Sequence, residues 1–308
     1  MKSFVDQMAT EDFNRVRSKE VFGRILNMLT PQNQELLSLD EVKRLLQPKS
    51  ETYRGIQQVP IDRIVGSEGR YRDFNNRFLP RHEFMRHRWE RVDKAHLSDV
   101  ILPAIRLYEI GGVYFVRDGN HRVSVAASQG VMEIDAEVVS LDSEVELPPD
   151  VTKEKLLRAV IDYEKQQFYE KTGFDKLIPD YDLVFTAPGR YDEIIRHISG
   201  HKYFINQSRD TEIPFSDALV SWYENVFRPI IDIINEERLL SRFPGRTSAD
   251  LYVWIVKHWH QLKERFGDYV SAKDAAIDFS DRYGKSAWQQ IKTVFRRIFR
   301  RTDEHREL

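Results

Sequence analysis

Apolar positions recur at three- and four-residue spacing through residues 9 to 48, bunch into short β-branched and aromatic runs between 56 and 142, and return to helical spacing from 152 onward. That change of period divides the chain into a helical lead, a mixed middle and a helical remainder. In the lead, Thr10-Glu11-Asp12 offers a cap ahead of Phe13, Val16, Ile25, Leu26 and Leu29. Pro31 follows, and Ser38-Leu39-Asp40-Glu41 opens a second helix bearing Val42, Leu45 and Leu46. In the middle, Val59-Pro60-Ile61-Asp62-Arg63-Ile64 reads as an opening strand. Gly111-Gly112 then joins the runs 104–108 and 113–116 as a hairpin. Beyond Val116, Asp118-Gly119-Asn120 delivers a helix through Val123, Ala126 and Ala127 that stops at Gly130, and Ile134 to Val139 supplies another strand. The pattern predicts an α+β chain: a helical extension over 1–52, a small mixed-sheet domain over 53–148, and an all-α domain over 149–308.

The helical remainder carries an internal repeat, at about 186–230 and 242–285. Pro188-Gly189-Arg190 recurs as Pro244-Gly245-Arg246, after which a slightly longer offset aligns Ile194 with Leu251, His201 with His258, Asp217 with Asp274 and Trp222 with Phe279. Each copy is expected to be a helical hairpin that buries its apolar face on the other. His201 and His258 read more simply as structural histidines than as metal ligands, since no carboxylate sits at ligand spacing beside both.

Composition narrows the chemistry. With 308 residues and 41% hydrophobic residues the chain can build two cores, and a net charge of −2 provides no global field for nucleic acid. The absence of cysteine removes disulfides, thiolate catalysis and cysteine-ligated metals. No apolar run approaches a membrane span and the first residues lack a leader core, so a cytoplasmic location is expected.

The richest chemistry lies at Asp118-Gly119-Asn120-His121-Arg122. A helix starting there presents unpaired backbone N–H groups and a positive dipole end, which suit an anion if Gly119 lets the chain approach. Arg122 adds a fork suited to phosphate, Asp118 can hold Mg²⁺ or orient a hydroxyl, and His121 can move a proton. The alternative is that Asp118 and Asn120 only cap the helix.

This run, after a hairpin and before an Ala-rich helix, resembles the core motif of the ParB/sulfiredoxin superfamily. The resemblance covers about residues 56 to 142, and the turn is closer to that of the free-serine kinases than to the Gly-Glu-Arg-Arg of partition proteins. It implies a small domain that binds a nucleotide (ATP, ADP or CTP) with Mg²⁺, using Gly119, Asn120, His121 and Arg122, with Arg81 from the cation-rich run 70–91. By position Glu68 resembles the kinases' catalytic glutamate, so Asp118, His121 and Glu68 are the catalytic candidates and Asp118 with Glu68 the Mg²⁺ candidates. The lack of cysteine excludes sulfiredoxin chemistry. Neither a later Glu-Asn-x-x-Arg segment nor a helix-turn-helix directly after the domain is present, as partition proteins have. The segment from Trp222 to Trp259 resembles a bacterial domain of unknown function that follows ParB-like modules.

Two readings of the run 70–91 stay open: a funnel for phosphate and base, or an amphipathic helix with its aromatics in the core and its arginines solvated. A last helix, 286–301, sets Trp288, Ile291 and Phe295 against Lys292, Arg296 and Arg297. It can dock on the domain or a second subunit, giving a homodimer, or touch anionic partners. The functional expectation is an Mg²⁺-dependent phosphotransferase or nucleotide hydrolase. The alternative is a DNA-associated transcriptional regulator, or a nucleotide-switched module binding a protein, with the helical domain as the partner surface; nuclease activity ranks last.

Overall fold

The computed structural model describes residues 3–29, 35–267 and 270–284, with side chains outside 25–29. The expected last helix and tail, and the side chains of Ile25, Leu26 and Leu29, lie outside the described residues. Two compact units emerge, residues 1–160 and 161–308, and each has its own apolar core.

The first unit is built on a six-stranded mixed sheet, so the chain is α+β as the pattern predicts. Helix α1 (Phe4–Leu29) precedes β1 (Leu37–Ser38), α2 (Leu39–Leu46), β2 (Glu51–Pro60) and β3 (Ile64–Ser67). Helix α3 (Arg86–Leu97), β4 (Ile105–Ile110), β5 (Val113–Asp118), α4 (Asn120–Ser128) and β6 (Glu133–Leu141) follow. Strand order is β1-β3-β5-β4-β6-β2; β5 pairs antiparallel with β4 and parallel with β3. The expected hairpin is β4–β5, and Gly111 and Gly112 take positive φ of 60° and 84°, the geometry of a type I′ turn. The single opening strand expected over 59–64 is instead two. Pro60 lacks the N–H needed to continue a ladder, β2 stops there, and a 3₁₀ turn over Ile61–Arg63 redirects the chain into β3. Gly66 and Ser67 are the end of that second strand.

One residue of the cation-rich run, Trp89, anchors α3 to the rest of the unit. Trp89 is fully buried against Phe13, Val16 and Val125, and its Nε1 donates to Ser124 Oγ at 2.9 Å. Ser124→Ala leaves that indole N–H buried without an acceptor, which costs about 1–3 kcal/mol. A urea midpoint unchanged from wild type would show that the bond contributes nothing.

Helix α5 (Lys153–Thr172) begins in the first unit and ends in the second, which continues with α6 (Phe174–Leu177), α7 (Arg190–Asn206), α8 (Phe215–Trp222), α9 (Arg228–Glu236), α10 (Ser248–Phe266) and α11 (Ala272–Tyr283). A π segment over Tyr223–Phe227 joins α8 to α9, next to Pro229, whose ring and missing N–H are incompatible with a regular turn. The two expected repeats share a matched pair of contacts. His201 meets Ser221 Oγ at 3.0 Å, and His258 meets Asp278 Oδ2 at 2.7 Å, at the same offset along the chain. Both imidazoles thus tie one helix of a hairpin to the next. Among the described residues no group of three or more His, Asp or Glu is placed to hold a metal. No described helix is long and apolar enough to cross a membrane.

Candidate functional site: a cationic cavity at the start of α4

Strand β5 ends at Asp118, and α4 starts at Asn120 with one residue between them. Only a residue without Cβ fits between them: Gly119 sits at φ +111°, and an added Cβ would lie 2.5 Å from Ile105 Cγ2 and 2.9 Å from Ile105 Cβ. This close approach aims the first turn of α4 into a cavity of about 780 Å³. Within the helix, Val123 N donates to Gly119 O at 3.0 Å, as the ladder requires. Among the described residues, no protein acceptor meets the N–H groups of Asn120, His121 and Arg122, and no side chain caps them. They are the orphan donors of a helix start, held open at a cavity.

Cations converge on this point from several segments. Arg70, just beyond β3, reaches the lining after its N–H donates to Ser67 Oγ at 3.3 Å. Arg88 and Arg91 project from one face of α3, since three residues is close to one helical turn. Arg106 comes from β4, and Arg117 from β5. The β4–β5 register places Arg106 opposite Asp118 and Leu107 opposite Val116, so Arg117 is an extra residue in β5. That β-bulge lets consecutive residues 117 and 118 both line the cavity, which the alternation of a regular strand forbids.

The charges differ in how far they are already engaged. Arg122 binds Asp118 Oδ2 at 2.6 Å and the carbonyls of Pro103 and Ala104. Arg106 pairs with Glu137 at 3.1 Å, and Arg70 approaches Asp73 at 3.6 Å. Arg88 and Arg91 have no carboxylate partner among the described residues, and they are exposed. The net result is an excess of positive charge facing Asp118 alone, so the cavity favours an anion of more than one charge.

Two polar side chains are buried in the lining without partners. Asn120 is 8% and His121 5% exposed, and neither Asn120 Oδ1 nor His121 Nδ1 has a hydrogen bond within the protein. The imidazole also packs edge-on against Phe74, with centroids 5.5 Å apart. Burial, reinforced by the Arg88, Arg70 and Arg91 charges, pulls His121 down to about 4. It is therefore neutral near pH 7 and can accept or donate a hydrogen bond according to its tautomer.

This depression has a stability consequence. The folded pKa lies below the ordinary value, so the unfolded chain binds more protons between pH 6.5 and about 4. Within that window His121 costs stability as pH falls, at up to about 1.4 kcal/mol per unit. Asp93, whose carboxyl burial pushes up, titrates with the opposite sign. The measurement is thus the difference between wild type and His121→Gln in urea titrations at pH 7 and pH 5. Parallel losses in both proteins would contradict a buried neutral imidazole.

Of the residues expected at the site, Asp118, Gly119, Asn120, His121 and Arg122 are brought together in the lining. Glu68 follows β3, with its N–H donating to Val116 O at 2.9 Å, and stands beside Gly69, which does line the cavity. Arg81 lies outside the lining; its N–H donates to Asp73 O at 2.8 Å in the segment that carries Phe74 and Phe78 into the core. The run 70–91 is not one amphipathic helix, since only Glu83–Met85 and the residues from Arg86 onward are helical, and its side chains divide between core and cavity. Phe74, Phe78, Met85 and Trp89 are core, while Arg70, Arg88 and Arg91 face the cavity. Arg106 and Arg117 escaped the sequence reading. Period-two alternation from Leu107 marks Arg106 as outward-facing, but nothing in the sequence marks the bulge that redirects Arg117.

No family model matches the chain, and no curated protein matches it. Among solved structures, one described as the C2221 form of a Pnob8-like ParB-N domain matches at 11% identity, over 78% of this chain and 92% of that one, with a TM-score of 0.21. So low a score carries no argument, and the functional reading rests on the geometry above.

Proposed function

We propose that the first unit binds a phosphorylated ligand, a nucleotide such as ATP, ADP or CTP, with its phosphates at the start of α4. The observation that supports this most is the coincidence of three unpaired N–H groups at Asn120, His121 and Arg122 with the unpaired cations Arg88 and Arg91 around one cavity. Backbone donors fix the position of phosphate oxygens, a helix dipole favours their charge, and guanidinium groups neutralise it. A neutral His121 fits such a site because it adds a hydrogen-bonding group without further positive charge.

The residues present do not form a cage for a protein-held Mg²⁺. The lining supplies one carboxylate, Asp118, and Arg122 already occupies it. A magnesium ion would therefore come with the phosphates, and the site is read first as a binding site. If turnover accompanies binding, Asp118, His121 and the neighbouring Glu68 are the side chains with acid–base chemistry at hand, and Asp118→Ala abolishes turnover while leaving the fold intact.

The direct test is thermal unfolding of the full chain with ATP, ADP, CTP and GTP, each with and without Mg²⁺. A nucleotide at about 100 times its Kd stabilises the chain by roughly 2.7 kcal/mol. No shift with any nucleotide at millimolar concentration, and none with inorganic tripolyphosphate, would end the proposal.

A further inference from the structure

Strand β2 closes one side of the sheet and leaves its outer edge open. Among the described residues β6 is its only neighbour in the ladder. The strand is ten residues long, and seven of the eight residues over 51–58 are exposed. Two of these are large and apolar: Tyr53 is 62% and Ile56 70% exposed. Unpaired N–H and C=O groups along such an edge template a further strand, and soluble chains ordinarily blunt it with lysine, proline or a covering segment. Strand β2 has no lysine, and its proline comes only at the last position.

The device it does have is a bulge. Tyr53 stands opposite Val139 and Gly55 opposite Val138, so Arg54 is an extra residue, and Gly55 beside it takes φ +79°. The bulge alters which side chains share a face. Ile56 stands opposite Glu137, two residues from Val139 on β6, so Tyr53 and Ile56 lie on the same side of the sheet although three positions separate them. Glu51 and Gln58, opposite Leu141 and Asp135, share that side. The Tyr53 hydroxyl donates to Glu137 Oε1 at 3.1 Å, and Arg106 holds Glu137 Oε2 at 3.1 Å. The ring is thereby held in position before any partner arrives.

We infer that a second copy of this chain docks on this edge, with the two β2 strands antiparallel about a two-fold axis through the bulge. An axis there sets Tyr53 opposite the partner's Ile56, and Ile56 opposite the partner's Tyr53. Thr52 then faces the partner's Gln57, and Glu51 the partner's Gln58. Each pair joins side chains of one face, as two-fold antiparallel pairing requires; without the extra residue Tyr53 and Ile56 would lie on opposite faces and could not meet. An aromatic ring against a β-branched side chain is a favourable cross-strand pair, and the two-fold contact makes it twice. This self-complementarity is what commits the edge to a copy of itself rather than to a foreign peptide, since each large side chain finds its match in the same strand. Charge agrees, because the strand carries one acid and one base, Glu51 and Arg54, and no net charge opposes self-association. At the centre Gln57 Nε2 donates to Arg54 O at 3.2 Å, so the ladder between copies comes from 51–53 and 56–58 on either side of the bulge. The two Arg54 side chains approach near the axis, and their repulsion keeps the association weak and reversible.

Sedimentation velocity on the full chain reads the association. Wild type is expected to be mostly dimeric at about 200 µM and mostly monomeric at about 1 µM, the behaviour of a small reversible interface. Ile56→Lys adds two more cations beside the axis and leaves a monomer at both concentrations, while an unchanged melting temperature separates lost docking from lost folding. Disulfide trapping tests the register, which the chain permits because it contains no cysteine. Chains carrying Tyr53→Cys mixed with chains carrying Ile56→Cys are expected to link under mild oxidation, since opposed residues bring their Cβ atoms within about 4.5–5.5 Å. Either variant alone places its two thiols diagonally, about 7–8 Å apart, and links at least about ten-fold more slowly. Three results would each remove this interface: a wild-type chain still monomeric at about 200 µM, an Ile56→Lys chain that dimerises like wild type, or a single cysteine variant that links as fast as the mixture. The first of these would leave the edge to an extended strand from another protein.

Discussion

Replacing both Arg88 and Arg91 by alanine weakens nucleotide and tripolyphosphate binding by at least about a hundred-fold, while the unliganded chain melts at or slightly above the wild-type temperature. Each guanidinium supplies a charge-assisted contact worth roughly 1.5–3 kcal/mol, and two together exceed the roughly 2.7 kcal/mol that separates affinities a hundred-fold apart. The fold does not need them. Neither pairs with a carboxylate among the described residues, both are exposed, and they stand near Arg70 and Arg122 in the same lining. Removing like charges relieves repulsion. The same variant should show a shallower decline of affinity with added salt, since fewer charges remain to be screened. Titration calorimetry in two salt concentrations reads both effects, and wild-type affinity in the double variant would place the phosphates elsewhere.

Gly119→Ala produces the largest loss of stability, roughly 2–6 kcal/mol, together with loss of binding. Two independent costs add. A φ of +111° strains any residue with a Cβ, at about 1–3 kcal/mol. The new methyl would also lie 2.5 Å from Cγ2 of Ile105, which is 1% exposed in the core and has no room to retreat, a clash of about 1–3 kcal/mol more. A second substitution separates the terms. Adding Ile105→Ala removes Cγ2, the nearer of the two obstructing atoms, and recovers much of the packing part of the Gly119→Ala loss, measured against Ile105→Ala alone, while the backbone part persists. A Gly119→Ala chain with wild-type urea midpoint would mean that the turn relaxes freely, and the argument for a fixed anion cradle would go with it.

How far these features were legible in the sequence depends on the range over which each is determined. The hairpin at Gly111-Gly112 and the turn at Asp118 to Arg122 are local, and residue type dictates backbone geometry there. The β2–β3 break at Ile61 to Arg63 was missed because an apolar run can belong to one strand or two, and only pairing with β6 and β5 decides. Arg122 looked like a phosphate fork from composition alone. In the fold its guanidinium is taken up by Asp118 and two carbonyls from a segment far behind it in sequence, which no local pattern foretells. Arg88 and Arg91 were visible as cations, but what turned them toward the cavity was the burial of Trp89 and Met85 on the opposite side of the same stretch.

The extra residue in β5 changes what mutational tolerance at this position means. Alanine at Arg117 removes one side chain, but deleting the residue removes the bulge: Asp118 then follows Val116 in a regular ladder, still opposite Arg106, while it no longer shares its face with a neighbouring arginine and the start of α4 is drawn back by one residue. Chain length between Val116 and Gly119, rather than the identity of any one letter, is therefore the conserved quantity to look for in relatives, and an alignment gap there is a sharper sign of lost binding than a substitution.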